Sequence, residues 1–272
     1  MYAHELALPG TLPVFDQMQE NKMQGVKQGG VSLFKVGGAI RDRLLRRSAH
    51  DVDFAVEAKD FQDMKDFIVA HGGQILVEKQ EFVTLKAKIG GEVCDFVLCR
   101  KDGVYRDGRR PESVRVGTIL DDLARRDFTM NAMAVPCIFK DGKIVEGDQI
   151  IDPYQGKLHL EQKVLHCVGN HKERLTEDAL RIVRALRFCL TLHLQPDPDI
   201  VNFLQDDKTC GTLLSKVSTD RLSAEMEKCL VFSTKRSILL FARHRFVLDL
   251  FEDRLPLRLT TKKVRPTETT IL

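Results

Sequence analysis

Two aspartates separated by a single residue, Asp51 and Asp53, have the type and spacing to do chemistry. Asp53 lies on a predicted β-strand, Val52–Val56, and Asp51 directly precedes that strand. Side chains along extended backbone alternate between faces, so both carboxylates point the same way. Neighbouring carboxylates repel each other unless a cation neutralises them, and hard oxygen ligands suit Mg²⁺, which shares itself with substrate phosphates. Asp95, on a later predicted strand over Val93–Leu98, is a third candidate carboxylate. Its alternative role is a structural ion pair with a neighbouring arginine.

A glycine pair precedes these aspartates in the chain. Gly37 and Gly38 lie between a predicted strand, Val31–Val36, and a predicted helix, Ala39–Arg46. The glycines let the backbone approach a phosphate closely, and the free N–H groups at the start of a helix favour an anion. Arg41, one turn into the helix, can reach the same anion. Each feature alone is common in turns and surface strands, but together and in this order they indicate a phosphate and metal site.

Two later segments, Asp122–Ala132 and Glu177–Phe188, have several charged residues interspersed with apolar ones. On a helical wheel the second segment gathers its apolar residues in one arc and its charged residues over most of the rest. An amphipathic surface helix with charges paired at i,i+3, each pair worth about 0.2–0.5 kcal/mol, would show the same pattern. The second segment alone therefore does not separate a binding site from a solvated helix face.

In combination, Val36–Asp42 with Asp51–Asp53, Asp122–Ala132 and Glu177–Phe188 resemble one family. This is the tRNA nucleotidyltransferase (CCA-adding) and bacterial poly(A) polymerase family, the eubacterial and eukaryotic class of the polymerase-β-like superfamily. The resemblance covers residues 31–232, since the stretch from Val217 through Leu230 is similar to the last helix that the family shares.

The resemblance implies that Asp51 and Asp53 hold the metals, which we expect to be two Mg²⁺ ions. Asp95 remains the candidate for a third catalytic carboxylate because of its position on a later strand. Asp178 and Arg181 would read the base, and the other residues would contact or support the nucleotide. The implied nucleotide-binding residues are Gly38, Arg41, Arg126, Asp178, Arg181, Arg184 and Arg187.

An aspartate and an arginine side by side have the chemistry to select cytosine and adenine. Both bases offer an exocyclic amine beside a ring-nitrogen acceptor, so a carboxylate can accept from the amine while a guanidinium donates to the ring nitrogen. Uracil and guanine present a carbonyl beside an N–H and would leave both protein groups unpaired. Selection of this kind needs no nucleic-acid template.

The stretch Tyr105–Pro111 leading into Asp121 resembles the CCA-adding branch, and the Gly-Arg-Arg-Phe element expected of poly(A) polymerases is missing before Asp95. The resemblance therefore implies addition of C and A to the 3′ end of tRNA from CTP and ATP, with release of pyrophosphate. A poly(A) polymerase and an enzyme that adds only CC or only A are alternatives within the class. A truncated, non-catalytic tRNA-binding protein is the alternative from another class, against which the retained acidic and basic site residues argue.

The order of predicted elements indicates the fold that must position these residues. Strands interspersed with helices, followed by helices alone, predict an α/β nucleotidyltransferase head of mixed sheet and flanking helices, then an all-α neck and short body. One long neck helix is predicted over residues 170–194. Further predicted elements are a helix over Pro13–Gln24, a strand over Thr84–Ile89, a basic loop over Lys101–Gly117, a helix over Ile119–Ala124 and a strand over Asn131–Phe139. The predicted divisions are an N-terminal extension, 1–30; the catalytic head, 31–158; the neck with its nucleotide-selecting helix, 159–232; and the short body and tail, 233–272.

The 272 residues carry 42 Lys and Arg against 39 Asp and Glu, so the net charge of +3 does not by itself indicate a nucleic-acid partner. Seven cysteines without a CxxC pair suggest buried thiols in a reducing compartment. Without a signal pattern or an apolar run long enough for a membrane span, we expect a cytoplasmic protein, with organellar targeting left open. Family members usually continue into a longer helical body, so the chain is either a fragment or an enzyme that grips its RNA with less protein, for example as a homodimer.

Overall fold

The computed structural model describes residues 26–48, 52–103 and 112–253, with the backbone alone for 251–253. Asp51 lies outside the described residues, as do the helix predicted near the N-terminus, the whole of Tyr105–Pro111 and residues 254–272 of the tail. The described residues divide into two compact units. The head unit comprises residues 26–103 and 112–162, and the neck unit comprises residues 163–253.

The head unit contains nine strands among its described residues. They are β1 (Ser32–Val36), β2 (Asp53–Glu57), β3 (Gln74–Lys79), β4 (Thr84–Ile89), β5 (Glu92–Leu98), β6 (Arg100–Asp102), β7 (Val114–Val116), β8 (Ala134–Lys140) and β9 (Lys143–Glu146). Seven of them form a mixed sheet in the order β3-β4-β5-β2-β1-β8-β9, while β6 and β7 pair separately. The β2–β5 pairing is parallel and the other pairings in the large sheet are antiparallel.

Four helices flank this sheet within the described part of the head. They are α1 (Gly38–Leu44), α2 (Phe61–Ala70), α3 (Ile119–Ala124) and α4 (Gly156–Glu161), with 3₁₀ turns at Gln80–Phe82 and Thr129–Asn131. Asp60 precedes helix α2 and caps it by accepting a hydrogen bond from the N–H of Asp63, and the helix buries an apolar stripe against the sheet. There Phe54 and Phe96 stack with ring centroids 5.3 Å apart. This core fixes one face of β2 and β5 and leaves the alternate residues for the opposite face.

The neck unit is helical apart from a short parallel pair of strands, β10 (Val164–Leu165) and β11 (Gln195–Pro196). Its helices are α5 (His171–Glu177), α6 (Leu180–Leu192), α7 (Pro198–Leu204), α8 (Asp207–Leu214), α9 (Thr219–Phe241) and α10 (Arg245–Asp253). The prediction of a mixed-sheet head followed by a helical region is therefore confirmed. Within the described ranges, none of the helices is both long enough and apolar enough to span a bilayer.

Three local predictions were wrong. The single helix predicted over 170–194 is broken at Asp178, whose backbone is extended with φ −139° and ψ 101°. The carboxylate of Asp178 accepts from the N–H of Leu180, a local bond that competes with helix continuation. The basic stretch predicted as loop contains β6 and β7, and the strand predicted from Asn131 begins only at Ala134 because a 3₁₀ turn comes first.

Candidate active site

The β1–β2 pairing brings the first aspartate site and the glycine turn together. Asp53 opens β2 and pairs with Val36, the last residue of β1, which directly precedes Gly37. On its other side Asp53 pairs in parallel register with Asp95 of β5. Residues directly opposite on adjacent strands share a face, so both aspartates lie on the side opposite the Phe54–Phe96 stack.

Asp95 also has a partner on the neighbouring strand. Its Oδ2 accepts from Nζ of Lys86 at 2.8 Å, across the antiparallel β4–β5 pair. The partner is a lysine, not the arginine considered in the structural alternative. With the two side chains 41% and 39% exposed, such a pair contributes at most about 1 kcal/mol to stability. The ion pair therefore does not explain by itself why a carboxylate stands beside Asp53.

Two guanidinium groups lie close to the glycine turn. Gly37 has φ +73°, in the region that favours glycine, and a Cβ added there would lie 2.8 Å from Nη1 of Arg126. A Cβ added at Gly38 would lie 3.3 Å from Nη2 of Arg41. Side chains at the glycines would therefore crowd both cations. The pattern of the sequence indicated Arg41 at this turn, but the approach of Arg126 is visible only in the fold.

A hydrogen-bonded network holds Arg41 in place. Its Nε and Nη2 donate to the carboxylate of Asp42 at 2.9 and 3.0 Å, and its Nη1 donates to Oδ1 of Asn131 at 2.8 Å. Asn131 in turn donates from Nδ2 to Oδ1 of the buried Asp127 at 3.0 Å. The 3₁₀ turn that holds Asn131 thus links α1 to the Asp122–Ala132 motif.

Arg126 is held by the same turn and by a buried carboxylate. Its Nη1 donates to the backbone carbonyl of Asn131 at 3.2 Å, and its Nη2 donates to Oδ2 of Asp122 at 2.8 Å. Asp122 also pairs with Arg125. Burial alone would raise the pKa of the Asp122 carboxyl, but the Coulombic attraction of Arg126 and Arg125, with their hydrogen bonds, lowers that pKa below its usual value. Asp122 therefore stays ionised and keeps both guanidinium groups in position.

In the neck unit, Asp178 and Arg181 lie at the junction between α5 and α6. Asp178 accepts from Nη2 of Arg221, on α9, at 2.7 Å. Arg181 donates from Nη1 to Oε2 of Glu177 at 2.9 Å and to the backbone carbonyl of Arg174 at 2.9 Å. The two residues expected to read the base are thus one turn apart, and each is held by a different partner.

Arg184 and Arg187 meet at one buried carboxylate on α9. Nε of Arg187 donates to Oε2 of Glu225 at 2.5 Å, and Nη1 of Arg184 lies 3.5 Å from Oε1. The guanidinium carbon of Arg187 also lies 4.0 Å from the ring centroid of Phe188. Burial would raise the pKa of Glu225, but attraction by Arg187 and Arg184 lowers it below the usual value. Both arginines therefore tie α6 to α9.

Sequence reasoning did not single out three residues that hold the expected site residues. Asn131 holds Arg41 and Arg126, Glu177 holds Arg181, and Arg221 holds Asp178. The spacing of Glu177 and Arg181, four residues apart on predicted helix, could have revealed that pair. Asn131 binds Arg41 across 90 residues of sequence, and Arg221 binds Asp178 across 43. Neither pair therefore has a spacing that a local sequence pattern could reveal.

The carboxylates of Asp53 and Asp95 provide donor atoms that suit a hard divalent cation. Asp53 and Asp95 offer carboxylate oxygens from adjacent strands, the ligand type that Mg²⁺ prefers. Across the three described ranges, no group of three or more His, Cys, Asp or Glu side chains is arranged to hold a metal ion. Asp51, the third expected carboxylate, lies outside those ranges.

Comparison with known proteins gives consistent matches. Residues 33–166 match the family described as the poly A polymerase head domain. The CCA-adding enzyme of Streptococcus gordonii is 36% identical over 228 residues, which are 81% of this chain and 51% of that enzyme. The chain thus spans about half the length of the curated relatives that it matches.

Solved structures resemble the chain to a similar extent. The CCA-adding enzyme of Bacillus stearothermophilus in complex with CTP has a TM-score of 0.66 and 31% identity, covering 85% of this chain and 52% of its own. A tRNA nucleotidyltransferase complexed with a primer tRNA and an incoming ATP analog has a TM-score of 0.62 and 28% identity, covering 89% of this chain and 62% of its own.

Proposed function

Because the chain belongs to the family that unites the poly(A) polymerase head domain with the CCA-adding enzymes, we propose that it is a template-independent RNA nucleotidyltransferase. It transfers C and A from CTP and ATP to the 3′ end of tRNA and releases pyrophosphate. The observation that carries the proposal is in the head unit. A glycine turn lies against two guanidinium groups and directly follows the residue that pairs with Asp53.

Each part of that arrangement has a task in phosphoryl transfer. The guanidinium groups of Arg41 and Arg126 bind the triphosphate at Gly37 and Gly38, where no side chain blocks its approach. Charge-assisted hydrogen bonds of this kind orient the α-phosphate for in-line attack by the 3′-hydroxyl of the RNA. Since Asp42, Asn131 and Asp122 hold the guanidinium groups before substrate arrives, less conformational entropy is lost on binding.

Asp53 and Asp95, together with Asp51, would hold the metal. Two Mg²⁺ ions, when bound, supply the charge that activates the attacking hydroxyl and stabilises the departing pyrophosphate. Asp53 is fixed by strand pairing on both sides, so its carboxylate needs no loop movement to reach the position beside the glycine turn. Asp95 shares its charge with Lys86.

In the neck unit, Asp178 and Arg181 select the base. A carboxylate has about four lone-pair sites. Asp178 therefore keeps acceptor capacity for the exocyclic amine of C or A while it binds Arg221 and the N–H of Leu180. Arg181 donates to the ring nitrogen. Arg184 and Arg187 support the pair by fixing α6 to α9 through Glu225.

A cytoplasmic site of action is part of the proposal. All seven cysteines are free, and all but Cys189 are fully buried. Thiols without disulfides are the usual state in a reducing compartment.

An incorporation assay tests the proposed function. The chain is incubated with Mg²⁺, each of the four labelled triphosphates in turn, and tRNAs that lack one, two or three 3′-terminal nucleotides. CCA addition predicts C on the two shorter acceptors and A only after two C residues are present. A ladder of A on any RNA would instead identify a poly(A) polymerase. Incorporation restricted to C or to A would identify a specialist, and tRNA binding without incorporation would identify a non-catalytic RNA-binding protein.

A further inference from the structure

Three charged side chains form a cluster at the α5–α6 junction. Nη1 of Arg174 and Nη1 of Arg181 lie 2.8 and 2.9 Å from the same oxygen, Oε2 of Glu177. The side chains of Arg174 and Arg181 are only 14% and 11% exposed, and that of Glu177 is 24% exposed. Two cations on one carboxylate oxygen repel each other, and the low exposure reduces screening by solvent. Further contacts must therefore hold them in place.

Arg174 has such contacts at the other end of its helix. Its Nε donates to the backbone carbonyl of Val168 at 3.0 Å, in the turn that precedes α5. In the same turn Gly169 has φ +70°, and a Cβ added there would lie 3.9 Å from Nη2 of Arg174. The guanidinium of Arg174 thus joins the turn before α5 to Glu177 at the end of α5.

Arg181 depends on Arg174 in two ways. Nη1 of Arg181 donates to Oε2 of Glu177, which Arg174 also binds, and to the backbone carbonyl of Arg174. A guanidinium is planar, so two acceptors at one of its nitrogens fix the orientation of the whole plane. Base reading requires that plane in one orientation, because the donors that face the base are rigidly coupled to Nη1.

We propose that Arg174 is a positioning residue for base selection, which acts on Arg181 through the shared carboxylate of Glu177. The inference rests on the proposed role of Arg181 as a base-reading residue. Without the side chain of Arg174, Glu177 loses one of the two cations that bind its Oε2. Of the two acceptors of Nη1 of Arg181, only the backbone carbonyl of Arg174 then stays fixed. The plane of Arg181 then samples orientations in which uracil is rejected less strongly.

The first experiment measures binding of CTP and UTP to the full 272-residue chain by titration calorimetry, without acceptor RNA. Arg174→Gln is expected to weaken CTP binding by about tenfold and to reduce the preference for CTP over UTP by a similar factor, the scale of one charged hydrogen bond. Lys172→Gln is the matched control. It removes the same charge from an exposed position on the same helix, and it should leave both values unchanged.

A double-mutant cycle tests the route of the effect. If Arg174 acts through Glu177, then Glu177→Gln alone produces the same loss of preference, and adding Arg174→Gln causes little further change. Arg174→Lys keeps the charge but cannot bind the Val168 carbonyl and Glu177 together with a planar fork, so it should restore only part of the preference. That variant also serves if Arg174→Gln fails to fold.

The inference is overturned if Arg174→Gln lowers the thermal midpoint but retains the wild-type ratio of CTP to UTP binding, since that is the result of a purely structural residue. Additive losses in the cycle overturn the route through Glu177. A wild-type chain that prefers CTP in calorimetry but transfers nothing to tRNA refutes the proposed function alone. A wild-type chain without preference for CTP refutes both.

Discussion

The candidate metal-binding carboxylates of the head and the candidate base-reading residues of the neck are fixed by different means. In the head, Asp53 and Asp95 stand side by side because β2 and β5 pair in register, and the pairing is held by main-chain hydrogen bonds and the core beneath it. In the neck, Asp178 and Arg181 are placed by ion pairs with Arg221 and Glu177. Backbone pairing positions the candidate metal-binding carboxylates in the head, and side-chain pairing positions the candidate base-reading residues in the neck.

This difference determines how each unit responds to substitution. Removing the carboxylate of Asp53 or Asp95 takes away a chemical group and leaves the backbone of its neighbours where the strand pairing puts it. Removing a charge from the neck also releases its partner, because each site residue there is held by another side chain. We therefore expect substitutions of the strand carboxylates in the head to affect mainly the rate of transfer, and substitutions of the base-reading residues in the neck to affect selectivity and stability together.

The largest effect is expected for Asp53→Ala, and for Asp51→Ala if the two share the metal. Loss of one metal ligand should lower the transfer rate on the order of a thousandfold, because the developing charge at the reacting phosphate loses its stabilisation. Far-UV circular dichroism and the thermal midpoint should stay close to wild type. The exposed Asp148→Ala is the control for a charge lost elsewhere in the head. Turnover of Asp53→Ala within tenfold of wild type would contradict the metal assignment.

The next effect concerns base choice in the neck. Arg181→Ala should weaken the selection of CTP and of ATP by about 1–3 kcal/mol each, the usual worth of a good bidentate contact. Asp178→Ala should relax the rejection of UTP and GTP, because the acceptor that disfavours their carbonyl groups is lost. Incorporation of all four triphosphates is measured for both variants. If preference for C and A survives in both, the ion pairs with Glu177 and Arg221 are structural and the base is read elsewhere.

Much of the head could be predicted from the sequence because its signals are local. The boundaries of β4 and α3 coincide with the predicted ones, since alternating apolar residues, the glycine pair at Gly90–Gly91 and the capping residue Thr118 all act over a few positions. The break at Asp178 was not predicted. It depends on whether a short acidic side chain bonds the next turn's backbone or faces solvent, and helical periodicity cannot distinguish these two outcomes.

The partners of the candidate site residues were mostly beyond prediction for the same reason. Arg126 reaches the glycine turn only because β8 and the 3₁₀ turn before it fold back beside β1. Glu225 of α9 binds Arg184 and Arg187 of α6. A single sequence shows charges and their spacing along the chain, but not which of them approach each other across elements.

The pH dependence of stability should show how much the neck relies on charge. The pKa of Glu225 is lowered, so its contribution to stability is fully present above its unfolded-state value, close to 4.5, and is lost as the pH falls through the lower folded-state value. Glu225→Gln should cost about 1–3 kcal/mol of unfolding free energy at pH 7, the scale of a hydrogen bond to a charged group. The difference from wild type should shrink as the pH falls from 5 to 3. Urea unfolding across that range provides the measurement, and a difference independent of pH would mean that the carboxylate charge is not what stabilises the neck.

The smallest effect on stability is expected at an exposed ion pair of the head, between Lys86 and Asp95. Lys86→Met should change the unfolding free energy by less than about 1 kcal/mol, because both groups are well exposed and water screens their attraction. Asp95→Asn should change stability by a similarly small amount, since it breaks the same pair. The two variants separate in catalysis. Asp95 faces the same side of the sheet as Asp53, so the loss of its charge should slow transfer strongly, whereas Lys86→Met should leave the rate close to wild type. Equal transfer rates in the two variants would reduce Asp95 to a partner of Lys86 and leave the metal to Asp51 and Asp53 alone.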